Sequence, residues 1–129
     1  VERIVTHWSE ANGIAAACNI DALPPLTPDA DVIFLRATQE ALSNVARHAK
    51  ASHVSVSLHC VDALVLLSIE DDGRGLSDAD VAGAGKMGIA GMRERVRRFG
   101  GHVMIESTAG AGTSLTVALP LSAIGSGRA

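Results

Sequence analysis

Asp71 is the first residue of this chain whose position asks for a chemical explanation. It ends the run LVLLSIED (64–71), where alternation puts it on one side with Val65, Leu67 and Ile69. If those three face a core, so does its carboxylate, and a buried carboxylate without a partner is expensive. Two chemistries would satisfy it. One is a turn at the strand's end that offers backbone amides. The other is an N–H donor on a bound ligand. In SIEDDGRGLS (68–77), Gly73 and Gly75 follow at once, and without side chains they let a ligand approach the backbone closely. The local sequence leaves both readings open.

A second constellation lies in QEALSNVARHAK (39–50). Glu40 and Asn44 are four residues apart, so on a helix they share a face, roughly opposite Leu42. The amide oxygen of Asn44 suits a hard cation such as Mg²⁺, and Glu40 is placed to orient or deprotonate a nucleophile. Arg47, His48 and Lys50 add positive charge where a helix C-terminus would favour it on dipole grounds alone. A third is GAGKMGIAGMRER (83–95), a glycine-bearing loop running into a helix start, where free amides attract anions. Its spacing is neither a Walker loop nor a dinucleotide fingerprint. A solvated helix face explains Arg93, Arg95, Arg97 and Arg98 more simply than a phosphate clamp does. His7, His53, His59 and His102 show no metal-ligand spacing.

The elements that must position these residues follow from periodicity. Residues 1–11 predict a short helix with Ile4, Trp8 and Ala11 on one side, and 13–20 a strand. A proline-bearing loop (21–29) ends in Thr27-Pro28-Asp29, a helix start. A long helix is expected over 29–49, with Leu35, Thr38, Leu42, Val45 and Ala49 as its apolar stripe. Strict alternation in HVSVSLHC (53–60) predicts a half-buried strand, paired antiparallel through a short turn with 64–71. The glycines at 73, 75, 83, 85 and 88 make 73–88 a long loop. A helix over about 88–99, stopped by Gly100-Gly101, precedes two strands, HVMIES and TSLTVALP, joined by the hairpin TAGAGT. The tail from 122 to 129 is expected to fray. This order predicts an α+β fold, a mixed, mostly antiparallel sheet with helices on one face.

Bulk properties narrow the function. At 129 residues with 47% hydrophobic residues, the chain suits one domain with one core, residues 1–121. The core must be aliphatic, since there are two Phe, one Trp and no Tyr. A net charge of −3 offers no electrostatic ground for nucleic-acid binding, and the chain lacks stacking aromatics. Cys18 and Cys60 form no spaced motif and read as two buried thiols of a reducing compartment. No apolar run approaches a bilayer-spanning length. The start VERIVTHW, without Met, suggests a piece of a longer protein.

In their order, QEALSNVARHA, EDDGRGL, GIAGMRERV and GAGTSLTVALPL resemble the ATP-binding catalytic domain of sensor histidine kinases, over about residues 33–121. The resemblance is to the branch of the nitrate, desaturase-regulating and degradative-enzyme sensors, within the superfamily of gyrase, MutL and the ninety-kilodalton chaperones. It implies the Bergerat fold, a two-layer α/β sandwich, and the cofactors ATP and Mg²⁺. By resemblance, Asn44 holds Mg²⁺ against the phosphates and Glu40 helps activate the phosphoacceptor. Arg47 and His48 contact phosphate and nucleotide. Asp71 accepts from the adenine amine, with Gly73 and Gly75 making room and Thr113 nearby. Gly88 and Ile89 belong to the lid's glycine box, where Lys86 replaces a usual glycine and is placed to reach a phosphate.

No phosphoacceptor box is legible, since His7 is followed by Trp. The resemblance therefore implies an upstream dimerisation and phosphoacceptor domain of the same protein and a response regulator as partners. It further implies a monomeric domain, a homodimeric parent and a cytoplasmic location, with an inner-membrane sensor as one form of the parent and membrane spanning left open. A non-kinase ATPase of the same superfamily and an anti-sigma serine kinase-like module remain as alternatives.

Overall fold

The computed structural model describes residues 1–23, 25–46, 50–73, 89–107 and 110–124. The chain forms α1 (Glu2–Asn12), β1 (Ala15–Ile20), α2 (Pro28–Asn44), β2 (His53–Val61), β3 (Leu64–Asp71), α3 (Ile89–Arg98), β4 (His102–Ser107), β5 (Thr113–Pro120) and a one-turn α4 (Leu121–Ile124). The five strands make one sheet in the order β1-β2-β3-β5-β4. β1 and β2 are parallel, and every other pair is antiparallel.

Alternation decides which face is covered. Val54, Val56 and Leu58 on β2, Val65, Leu67 and Ile69 on β3, and Leu115, Val117 and Leu119 on β5 are all buried. They meet Val5 of α1, Ile33, Phe34, Ala37, Ala41 and Leu42 of α2, and Met92 and Val96 of α3 in one core. Burying each large aliphatic side chain contributes about 1.5–3 kcal/mol. On the opposite face Ser55, Ser57, Ser68 and Thr116 are half-buried. The architecture is therefore α+β, a two-layer sandwich with its helices on one side.

Helix ends follow local chemistry. Thr27 caps α2 by accepting the Ala30 amide at 3.3 Å, with Pro28 in the first turn. Thr38, buried within that helix, donates its hydroxyl to the Phe34 carbonyl at 2.8 Å. α3 stops in a Schellman motif. The Gly100 amide reaches the Arg97 carbonyl at 2.9 Å and the Gly101 amide the Val96 carbonyl at 3.1 Å, with Gly100 at φ 77°. At the β2–β3 turn, Asp62 and Ala63 take φ of 50° and 65°, the pattern of a two-residue type I′ hairpin.

The structure corrects several details. The α-helical part of α2 is Pro28–Asn44, continued by a wider helical turn at 45–46, and residues 47–49 of the expected helix lie outside the described residues. Leu35 is only half-buried; the alanines and Phe34 carry the contact, because small side chains let α2 sit close to the sheet. In α1 the core residue is Val5, while Ile4 and Trp8 are half-buried and Ala11 is exposed. The cysteines are not both buried: Cys18 is half-buried and Cys60 exposed. Cys60 keeps the inward phase and pairs with Val65 of β3, but β1 ends opposite Leu58 and leaves the other edge of β2 without a strand beyond that point. Residues 122–124 of the tail belong to α4, whose Leu121 amide donates to the Ala63 carbonyl at 2.8 Å, and 125–129 lie outside the described residues. Among the described residues, no helix is long and apolar enough to cross a membrane.

Topology brings selected chain ends together. β1, α2 and β2 form a parallel crossover, so α2 runs back along the sheet, roughly 26 Å for its 17 residues. Its C-terminus therefore lies at the start of β2, which pairs with the end of β3. α3 leads through Gly101 into His102, and His102 pairs with Ala118, far from Asp71. The N-terminus of α3 thus points toward the end of the sheet that carries Asp71, Thr113 and Ser107.

Candidate nucleotide site

The inward phase of β3 carries Asp71 to the rim of the core, as alternation predicts. It pairs with Val54 on one side and Thr113 on the other. Its Oδ1 accepts the Gly73 amide at 2.9 Å. Burial pushes its carboxyl above the usual carboxylate range; the Gly73 and Thr113 amides pull it back, and the charge of Asp72 raises it again. A carboxylate that the protein only partly compensates is an acceptor with capacity for a donor from outside.

Thr113 stands in the same row, in phase with buried Leu115, Val117 and Leu119. Its Oγ1 lies 3.0 Å from the Ser107 Oγ. Asp71, Thr113 and Ser107 therefore form a polar row across β3, β5 and β4 at one end of an otherwise aliphatic face. Gly112 makes the row possible. It has φ 94°, and a Cβ there would collide with the Asp71 carbonyl oxygen, so only glycine lets β5 start this close.

Asp72 faces the other way. Its Oδ1 accepts the Ser52 and His53 amides, each at 2.9 Å, and its Oδ2 the Ser52 hydroxyl at 2.8 Å. The Ser52 hydroxyl above all, then the His53 and Ser52 amides, holds its carboxyl below the usual range. Of the two readings of Asp71, the turn bond is present, since its carboxylate holds the Gly73 amide two residues on; Asp72 instead holds the backbone of residues 52 and 53, distant in sequence.

Glu40 and Asn44 are half-buried on α2, with Asn44 its last residue. The crossover brings Asn44 to the same end of the sheet as Asp71. Gly73 is buried at the exit from β3, and Ile89 opens α3. Arg47, His48, Gly75, Lys86 and Gly88 lie outside the described residues. Ser107 and the Ser52–Asp72 pair escaped the sequence reading. The phase of Val103, Ile105 and Ser107 on β4 was the signal for the first; nothing local announces the second.

A mixed five-stranded sheet under one helical layer, with a polar row at one end, defines a two-layer α/β sandwich. The comparisons with known proteins give the same class. The model of the Histidine kinase-, DNA gyrase B-, and HSP90-like ATPase family matches residues 30–123, and the chain belongs to that family. It is 34% identical over 99 residues to the signal transduction histidine-protein kinase/phosphatase DegS of Bacillus subtilis, covering 75% of this chain and 26% of that protein. It is also 34% identical over 124 residues to the sensor histidine kinase NarS of Mycobacterium tuberculosis, covering 94% of this chain and 28% of that one. The chain thus spans about a quarter of the length of these relatives. The histidine kinase domain of a blue-light activated kinase from Erythrobacter litoralis shares the fold. Its TM-score is 0.82 at 22% identity, over 94% of this chain and 59% of that one. The chain is a histidine kinase-type ATPase domain of the kind found in sensor kinases.

Proposed function

We propose that this domain binds Mg·ATP and donates the γ-phosphoryl group to a histidine on a phosphoacceptor and dimerisation domain of the same protein, for relay to a response regulator. The observation that carries the reading is Asp71, a partly compensated carboxylate at the rim of an aliphatic core beside Thr113. It accepts the exocyclic amine of adenine, while Gly73 and Gly75 leave room for the ring. Guanine presents a carbonyl at that place and leaves the carboxylate without a donor.

The donor set fits the rest of the nucleotide. Asn44 offers an amide oxygen to Mg²⁺. Phosphate oxygens of the nucleotide would supply further ligands to the cation. When bound, the ion neutralises charge on the phosphates. In this reading Arg47, His48 and Lys86 supply positive charge around them, Gly88 and Ile89 belong to the glycine box at which the lid closes, and Glu40 orients the accepting imidazole. The reading places the domain on the cytoplasmic side, as a monomer within a homodimeric parent.

Equilibrium binding tests the base contact. Mg·ATP should bind more tightly than Mg·GTP, and Asp71→Asn should weaken ATP by tenfold to a hundredfold, on the order of one charged hydrogen bond. Equal affinity for the two nucleotides would overturn the assignment. For the transfer step, label from γ-labelled ATP should appear on histidine in the full-length protein. The isolated domain should not label itself.

A further inference from the structure

We infer that Asp72 is a positioning residue, whose carboxylate fastens the chain arriving from α2 to the end of β3 and so fixes Asp71 and the phosphate-side segment relative to each other. The inference rests on the nucleotide reading above. Three donors converge on this one side chain: the Ser52 amide at 2.9 Å, the His53 amide at 2.9 Å and the Ser52 hydroxyl at 2.8 Å. The Asp72 amide returns a bond to the His53 carbonyl at 3.2 Å. Ser52 in turn gives its carbonyl to the Ala15 amide at 3.2 Å. The carboxylate thus ties the start of β2 to the end of β3, and the Ser52 carbonyl joins the start of β1 to the same point.

The location matters more than the number of bonds. Asn44 closes α2, and the connection from it ends at Ser52, in the grip of Asp72. Within that connection Lys50 takes φ 50°, a left-handed conformation that side chains adopt only when neighbours enforce it. On its other side, Asp72 is the residue between Asp71 and Gly73. The two stretches that bear the candidate ligand contacts therefore meet on this carboxylate. Asp72 does not touch a ligand at Asp71 itself, because its carboxylate is engaged on the opposite side. Its effect on binding must pass through position, and errors near an ångström in a binding constellation weaken it severely.

The test measures Mg·ATP affinity and melting temperature together, for the wild-type protein and for Asp72→Ala, Asp72→Asn and Asp71→Asn. Affinities are read well below each melting point. Asp72→Ala should weaken Mg·ATP on the order of tenfold in protein that is still folded. Asp72→Asn should weaken it about threefold, because its amide oxygen still accepts from the two backbone amides. Wild-type affinity in folded Asp72→Ala, whatever its melting point, would show that the residue only braces the fold and overturn the inference. Should Asp72→Ala not fold, Asp72→Asn decides, and an unchanged affinity there is the overturning result. Asp71→Asn separates the two failures. If it weakens binding while the Asp72 variants do not, positioning alone falls. If the wild type shows no saturable binding, or Asp71→Asn binds ATP as well, the nucleotide reading falls and this inference with it.

Discussion

The two ends of the sheet are built on different terms. At the far end the chain turns as tightly as it can. Asp62 and Ala63 close a two-residue hairpin, Gly100-Gly101 stop α3, and Leu121 bonds back to Ala63. At the other end α2 terminates, α3 begins, and polar side chains interrupt the aliphatic face at Asp71, Thr113 and Ser107. The far end spends its residues on closure. The near end holds a carboxylate that burial disfavours and that the Gly73 and Thr113 amides offset in part, a kind of local cost that clusters at functional sites.

Two glycines test this contrast with the largest expected effects. A Cβ on Gly101 would strike the Ala118 carbonyl oxygen and crowd Leu119 and Val96. A Cβ on Gly112 would strike the Asp71 carbonyl oxygen from a backbone at φ 94°. Backbone atoms cannot step aside as a side chain can, so each Gly→Ala change should cost about 3 kcal/mol of stability, read from urea unfolding. The two should part in binding. Folded Gly101→Ala keeps wild-type Mg·ATP affinity, whereas Gly112→Ala displaces Asp71 and weakens it. Equal affinities in the two variants would erase the distinction between the ends.

The adjacent aspartates sharpen the comparison by pH. The folded pKa of Asp72 is depressed, so its contribution is present above the ordinary value of 3.8 and lost as pH falls through the depressed pKa. That of Asp71 is raised, so its contribution is present below 3.8 and lost as pH rises through the raised pKa. Asp71→Asn should therefore melt higher than wild type at pH 7, and the advantage should vanish below about pH 4. Asp72→Asn should melt lower at pH 7, with the deficit closing only in stronger acid. Melting curves over that range check both, and an Asp71→Asn variant less stable than wild type at neutral pH would mean that the site is compensated from within.

Much of this was legible from period and punctuation. β3, β4 and β5 fall where alternation placed them, and Thr27-Pro28 and Gly100-Gly101 mark helix ends because capping is local chemistry. Asp71 was legible because strand phase carries a carboxylate inward regardless of context. What escaped depends on contacts distant in sequence. The grip of Asp72 depends on Ser52 and His53, twenty and nineteen residues away. The exposure of Cys60 depends on where β1 stops, which the sequence of β2 does not record. The stripe of α2 was misread at Leu35 because alanine scores as indifferent, although Ala30, Ala37 and Ala41 are what a helix lying close to a sheet requires.

The smallest expected effect lies wholly at the far end. Ala63 holds φ 65°, where its Cβ crowds the following carbonyl at a cost of roughly 1–2 kcal/mol. Glycine carries no such penalty, though it has more chain entropy to lose on folding. The hairpin pairs Val61 with Leu64 directly, so the turn has no slack with which to relax the strain. Ala63→Gly should therefore raise stability by about 0.5–1 kcal/mol, a net of those two terms. The Ala63 carbonyl still receives the Leu121 amide, because the change removes only a methyl group. Mg·ATP affinity should not move, since the turn lies a full strand length from Asp71. Denaturant midpoints with unchanged slope would register the gain. A gain in stability accompanied by altered nucleotide affinity would show that strain at one end of the sheet is felt at the other.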